Sequence, residues 1–516
     1  MEKSNSLSNL FKSPFFHATF YLTAAGFLCR LLGFFYRIFL SNVIGAEGMG
    51  IYELIFPIYG LCHAISVSPI QTAISKFTAE ESKGNGYINS RRTLHAGLFL
   101  SFSLSALLAL SVWISSDWIA NHFLFEERCT SLLKIMAVAL PFSSIHSCIS
   151  GYYYGIKKAG IPSLSQLTEQ IVRVSSVYLL VSIAQTNHLQ ITPLFAVYGL
   201  LFGEAASFLF STLSICLSKN CGSKKATAFW PIQLKNILLL AIPLSLNRLM
   251  LTFFQSIESI SIPTNLRLYG MSSTTALETY GVFTGMSMHF ILFPAAITNS
   301  LAVMLLPAVS EAQSQKNNRR ISDMASKSLR FCLTIGILFT GIFLVYGADM
   351  GTIVFHNSLA GNYITTLSWL CPFLYVSTTI GSILNGLGKT KSTFLHNMAS
   401  LCLRILFIFL LVPRLGMYGY LLGVLISQLL LMLLHLYSCQ KSIKLEFYVF
   451  PDMIKPIFCT ASALLITKFL SEHILHTYFS LSPLLELGVH CMLSAFLFFI
   501  ILYLTEPDGK SFLLRK

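Results

Sequence analysis

Four arginines, Arg30, Arg173, Arg248 and Arg404, stand deep inside apolar stretches of this sequence. Each lies about ten to thirteen residues into a run of about twenty, close to mid-bilayer for a helix rising about 1.5 Å per residue. A charge at that depth is costly, so it faces a wet cavity or a partner. A guanidinium stays protonated and offers a fork of donors that suits phosphate or pyrophosphate oxygens. Four carboxylates share these runs: Glu204 near midplane, Glu169 closer to one face, Glu53 and Glu258 near the other. Glu169 and Arg173 have the spacing of a pair along one helix, and Glu204 on the next helix is a second partner. A structural ion pair is therefore favoured for Arg173. Arg404 lacks such partners, because the matching positions are Ser400 and Val424. Arg30 and Arg248 have no acidic residue within a turn or two, which favours an anionic ligand. Lys134, Arg330 and Arg37 lie near the ends of runs, where snorkelling accounts for them.

The elements that must position these groups are membrane helices. The 516 residues are 54% hydrophobic and 11% charged, with mean hydropathy +0.69. A soluble domain of this length needs more charge to cover its surface. About fourteen spans are predicted, at 17–40, 49–74, 95–115, 130–153, 163–184, 193–217, 237–262, 280–306, 329–347, 362–384, 393–412, 417–437, 457–475 and 484–504. The first is too long for a signal-peptide core and stays as a helix.

Basic residues gather in alternate loops: Lys76, Lys83, Arg91 and Arg92; Lys157 and Lys158; Lys219, Lys224, Lys225 and Lys235. Further along come Lys316, Arg319, Arg320 and Lys327; Lys389 and Lys391; Lys441, Lys444 and Lys455. With Lys3 and Lys12 at the start, and Lys510, Arg515 and Lys516 at the end, this alternation puts both termini in the cytoplasm. The net charge of +14 thus reports topology, not a nucleic-acid partner. Twelve cysteines are scattered singly, and only His473 and His476 are closely spaced histidines, so no metal or cofactor is expected. The loops leave no room for a soluble catalytic domain, and an enzyme is not expected.

The sequence repeats internally. At one constant shift Pro141-Phe142 falls on Pro372-Phe373, Gly155 on Gly386, Lys158 on Lys389 and Arg173 on Arg404. With small loop adjustments Tyr198-Gly199 meets Tyr418-Gly419, Gly203 meets Gly423 and Arg30-Leu31 meets Arg248-Leu249. Two six-helix repeats in parallel orientation follow, 1–218 and 219–440, with two further helices in 441–516. Repeats of this kind place a substrate between the halves and alternate access by rocking. Pro141, Pro243, Pro294 and Pro372 fall inside spans, where they free carbonyls and permit bending.

The stretch GFLCRLLGFFYRIFLSNVIGAEGMGIYELIFPIYGL (26–61), with AISKFTAE (73–80) and YYYGIKKAGIPS (152–163), resembles polysaccharide-export flippases of the stage V sporulation protein B type. These belong to the multidrug/oligosaccharidyl-lipid/polysaccharide superfamily. The resemblance implies two six-helix lobes forming a V-shaped cleft, and transfer of an undecaprenyl-pyrophosphate-linked oligosaccharide to the outer leaflet. Peptidoglycan precursor for spore cortex is one candidate cargo, and a monomer in the cell membrane is expected. In related lipid II flippases of the mouse virulence factor family, helix 1 carries two arginines. Arg30 matches the first, Arg37 is displaced by one residue, and the arginine before the helix 2 proline is replaced by Ile55-Phe56.

Two other functions compete. A cation-coupled multidrug antiporter of the same superfamily wants a midplane carboxylate in helix 1 or 7, where this chain has Arg30 and Arg248. A membrane glycan polymerase or ligase wants a large outer loop, where only short loops with Asp117, Glu126 and Glu127 are found.

Overall fold

The structure, a computed structural model, describes residues 14–81, 87–217, 230–475 and 482–505. Of the basic loop residues, Lys3, Lys12, Lys83, Lys219, Lys224, Lys225, Lys510, Arg515 and Lys516 lie outside them, as does His476. The described residues are helical with no strand. In hydrocarbon each backbone donor and acceptor must be satisfied within its own segment, and a helix does this whatever its side chains.

Two compact units divide the chain, Met1–Ile260 and Ser261–Lys516. The first holds α1 (Pro14–Leu54), α2 (Phe56–Ser66), α3 (Ser68–Glu81), α4 (Tyr87–Ile114), α5 (Cys129–Gly155), α6 (Gly160–Thr186) and α7 (Leu194–Leu217). The boundary falls inside α8 (Trp230–Leu268). The second holds α9 (Ser273–Gly281), α10 (Ala295–Ser314), α11 (Asn318–Asp349), α12 (Ser358–Leu367) and α13 (Leu370–Gly386). It ends with α14 (Thr390–Leu415), α15 (Met417–Gln440), α16 (Lys455–Leu470) and α17 (Pro483–Leu504).

Eleven helical stretches of the described residues are long and apolar enough to cross a membrane, or twelve if α12 and α13, bent by 54°, form one span. The chain is a multi-pass membrane protein. Eleven or twelve is fewer than the about fourteen spans predicted: 17–40 and 49–74 share one stretch, and 237–262, within α8, is not among the eleven. Predicted spans 17–40 and 49–74 fall in a region that includes the continuous stretch Ala25–Glu81, because the segment read as their connecting loop is itself helical. Within α1 the one non-helical residue is Gly45, at φ 71° and ψ 179°, a conformation that only glycine adopts cheaply.

Small residues let the helices approach closely, the usual device where lipid removes the hydrophobic drive for association. A Cβ on Gly155 of α5 would sit 2.8 Å from the Ser75 carbonyl and 2.6 Å from Thr78 Cβ, both on α3. A Cβ on Gly386 of α13 would sit 2.9 Å from the Leu306 carbonyl and 2.9 Å from Val309 Cβ on α10. The constant shift that superposes Gly155 on Gly386 also superposes Ser75 on Leu306 and Thr78 on Val309, so both units make one crossing at matched positions. A serine cluster, Ser165, Ser207 and Ser211, joins α6 to α7 with oxygens 2.6 and 2.9 Å apart.

After α15 the chain folds back along α11 as a strap. Ser322 donates to the Lys444 carbonyl, and the Glu446 amide donates to Ser326 Oγ at 2.9 Å. Arg330 Nε lies 3.3 Å from Asp452 Oδ2, and the guanidinium also reaches the Glu446 carbonyl at 3.4 Å and the Tyr448 ring at 5.9 Å. Ser322, Ser326 and Arg330 are successive turns of one helix face. Arg330 is buried, not snorkelling, because the strap brings a carboxylate to it. Beyond the strap, α16 crosses α11 at Gly341, whose added Cβ would lie 2.4 Å from Thr460 Cγ2, and Ser494 of α17 donates to Thr467 of α16 at 3.1 Å.

Candidate functional site

The charged residues inside the first unit form a network across α2, α5, α6 and α7. Arg173 Nη2 is 2.6 Å from Glu169 Oε1, one turn earlier on α6, and 3.9 Å from Glu204 Oε1 on α7. Glu204 Oε2 pairs with His146 Nε2 of α5 at 2.8 Å, and Tyr59 of α2 donates to Glu204 Oε1 at 3.1 Å. The approach of α7 to α6 depends on Gly203, where a Cβ would meet the Glu169 carbonyl at 3.0 Å and Arg173 Cβ at 3.1 Å. The expected structural pairing of Arg173 with Glu169 and Glu204 is thus present. His146 was not anticipated. The burial penalty that singles out mid-span arginines and glutamates applies to a mid-span imidazole as well, and would have found it.

Ligand atoms of His146, Glu169 and Glu204 lie within 4.8 Å of one another, a spacing that could surround a cation. The Arg173 guanidinium already supplies positive charge to both carboxylates, so the donor set is engaged by the chain itself. The chemistry of this network is charge neutralisation in a low-dielectric interior.

Arg30 and Arg248 differ from Arg173 in that their side chains are exposed. Cys29, beside Arg30, lies within electrostatic reach of Glu169 and Arg173, and His63 lies within reach of Glu204 and Arg248. Arg248 is thus linked to the network through His63. Arg404, in the second unit, donates from Nε to Ser427 Oγ at 3.0 Å, and Ser400 donates to the Ser427 carbonyl at 2.8 Å. A serine pair thus occupies the region where the first unit has carboxylates.

Of the remaining acidic candidates, Glu258 is buried in α8, and Glu53 forms an ion pair with Arg37, whose guanidinium also lies 5.6 Å from the Tyr52 ring centre. Arg37 is only 18% exposed and sits inside α1, since the helix continues past the predicted span end. Snorkelling does not describe it. At the loop before α5, Arg128 reaches Glu126 at 2.5 Å and Glu47 at 2.7 Å, and these bonds, that to Glu126 first, raise its pKa.

Long apolar helices with close glycine crossings and internal charge define a polytopic α-helical membrane fold. Residues 16–313, more than half of the chain, match the polysaccharide biosynthesis protein family, and the chain belongs to that family. It is 26% identical over 450 residues to stage V sporulation protein B of Bacillus subtilis (strain 168), covering 85% of this chain and 86% of that protein. The fold resembles the lipid II flippase MurJ in an inward closed conformation, with TM-score 0.73 and 15% identity over 94% of this chain and 99% of that one. It also resembles an inward-facing multidrug resistance MATE family transporter of the MOP superfamily, with TM-score 0.62 and 13% identity over 80% and 95%.

Proposed function

We propose that the chain is a flippase for a lipid-linked oligosaccharide, carried on undecaprenyl pyrophosphate and moved from the cytoplasmic to the outer leaflet of the cell membrane by alternating access. The observation that carries this reading is the division among the mid-span arginines. Arg173 is largely buried and held by Glu169 and Glu204, whereas the side chains of Arg30 on α1 and Arg248 on α8 are exposed. Exposed fixed positive charge at that depth suits a diphosphate, which accepts forked hydrogen bonds. Arg404 is assigned the same role from the second unit, with Arg173 as the charge-balanced support of the first. The polysaccharide biosynthesis family, the likeness to stage V sporulation protein B and the shared fold with a lipid II flippase support the cargo class. Peptidoglycan precursor in spore cortex formation is the specific cargo proposed.

Within the same proposal, 1–218 and 219–440 are the two repeats and 441–516 carries two added helices, about fourteen spans in all. Both termini are cytoplasmic and the working unit is a monomer. Antiport of a cationic drug is disfavoured, because Glu169 and Glu204 are bonded to Arg173 and His146. The test is reconstitution into vesicles with a fluorescent pyrophosphate-linked glycan and a leaflet-accessibility readout. Wild type moves the probe and Arg30→Ala and Arg248→Ala slow it; normal rates in both variants would remove the assignment.

A further inference from the structure

The second unit contains a cavity that the proposed flippase reading does not use. About 1020 Å³ in volume, it is walled by α11, α13, α15, α16 and the strap, with Leu333, Ile337, Phe373, Leu436, Ile457 and Ala461 among its apolar sides. Among the described residues no charged side chain lines it. The two threonine hydroxyls that do are turned back onto carbonyls: Thr340 shares its proton between Gly336 at 2.8 Å and Ser368 at 3.0 Å, and Thr460 donates to Pro456 at 2.8 Å. Apart from Tyr437, Trp369 and Gln440 at its rim, the lining is apolar or has its hydroxyls engaged, so the interior suits hydrocarbon. Exposed apolar side chains at its edge, Trp369, Leu433, Tyr437 and Ile457, open it toward acyl chains.

Its other end is different. Gln440 and Leu445 close the cavity where α15 turns into the strap, and the four residues between them include Lys441 and Lys444, both exposed. Lys389 reaches the same turn, with Nζ 2.5 Å from Ser442 Oγ. Against these three lysines the strap offers Glu446 and Asp452, and Asp452 is engaged by Arg330 and by the Tyr448 amide at 2.9 Å. An apolar slot ending in net positive charge is complementary to an amphiphile with an anionic head.

We propose that this cavity is a binding site for a resident anionic phospholipid, its acyl chains along α11 and α16 and its phosphate met by Lys441 and Lys444. The site is separate from Arg30 and Arg248, and its occupancy can be measured without any transport assay.

The experiment is native mass spectrometry of the full chain in detergent, titrated with phosphatidylglycerol or phosphatidylcholine. Phosphatidylglycerol is expected to bind at least about tenfold more tightly, and the double variant K441Q/K444Q to weaken it about 30-fold at about one kcal/mol per lysine. A second variant, Ala461→Trp, fills the slot and abolishes retention of both lipids, while its unfolding midpoint reports whether the fold is kept. Equal binding of the two lipids, or undiminished binding by K441Q/K444Q or by a folded Ala461→Trp, overturns the proposal. Displacement of phosphatidylglycerol by a polyprenyl pyrophosphate at equal concentration also overturns it, since the slot would then belong to the cargo.

Discussion

Replacing Arg173 by Met asks whether that residue supports the fold or grips a ligand. In the network of the first unit, Glu204 retains His146 at 2.8 Å and Tyr59 at 3.1 Å after the change, but Glu169 loses its 2.6 Å bond to the guanidinium. Glu169 is only 13% exposed, so a carboxylate is left inside without its counter-ion. Removing one partner of a buried pair costs about 3–5 kcal/mol, whereas replacing both by neutral groups is often nearly neutral. Arg173→Met should therefore lower unfolding free energy by about 3–5 kcal/mol, and the double variant Arg173→Met/Glu169→Gln should recover most of it. The assay is reversible unfolding in mixed micelles by a graded denaturing detergent, run as a double-mutant cycle. Wild-type stability in Arg173→Met, or equal loss in single and double variants, would refute the structural assignment; slowed translocation at unchanged stability would move Arg173 into the ligand-binding group.

Other expectations concern separate parts of the chain. Arg30→Ala and Arg248→Ala should each slow flipping about ten- to a hundredfold, the worth of about 1.5–3 kcal/mol for a hydrogen bond to a charged group, measured in the vesicle assay. Arg330→Met strands Asp452 under the strap and should destabilise the second unit by about 3–5 kcal/mol, seen as faster proteolysis between α15 and α16. Gly45→Ala should cost about 1–3 kcal/mol from backbone strain alone, measured by the same micelle unfolding, because an added Cβ there meets nothing within 4 Å.

Much of the helical material was legible because apolar run length is a local property. The pairing of Arg173 was legible for the same reason, since Glu169 is one turn away and Glu204 is on the adjoining helix. What escaped depended on distant chain segments or on a single glycine. Arg330 read as a snorkelling residue near a span end because Asp452 reaches it only when the strap folds back. Arg37 read as an end-of-span residue because 41–48 has the composition of a loop, and the break there is confined to Gly45. His146 was passed over because an isolated histidine is common in apolar helices, and only the position of Glu204 gives it a task. The exposure of Arg30 and Arg248, and the reach of Arg248 to His63, required coordinates.

The strap has a practical consequence for anyone trimming this protein. Helices α16 and α17 look like a detachable appendix, yet α11 presents a buried guanidinium whose counter-ion arrives with the segment that leads into them. A chain cut after Gln440 would keep Arg330 and discard Asp452, so its failure would report an orphaned charge rather than the job of the missing helices. A fair deletion replaces Arg330 by a neutral residue in the same gene.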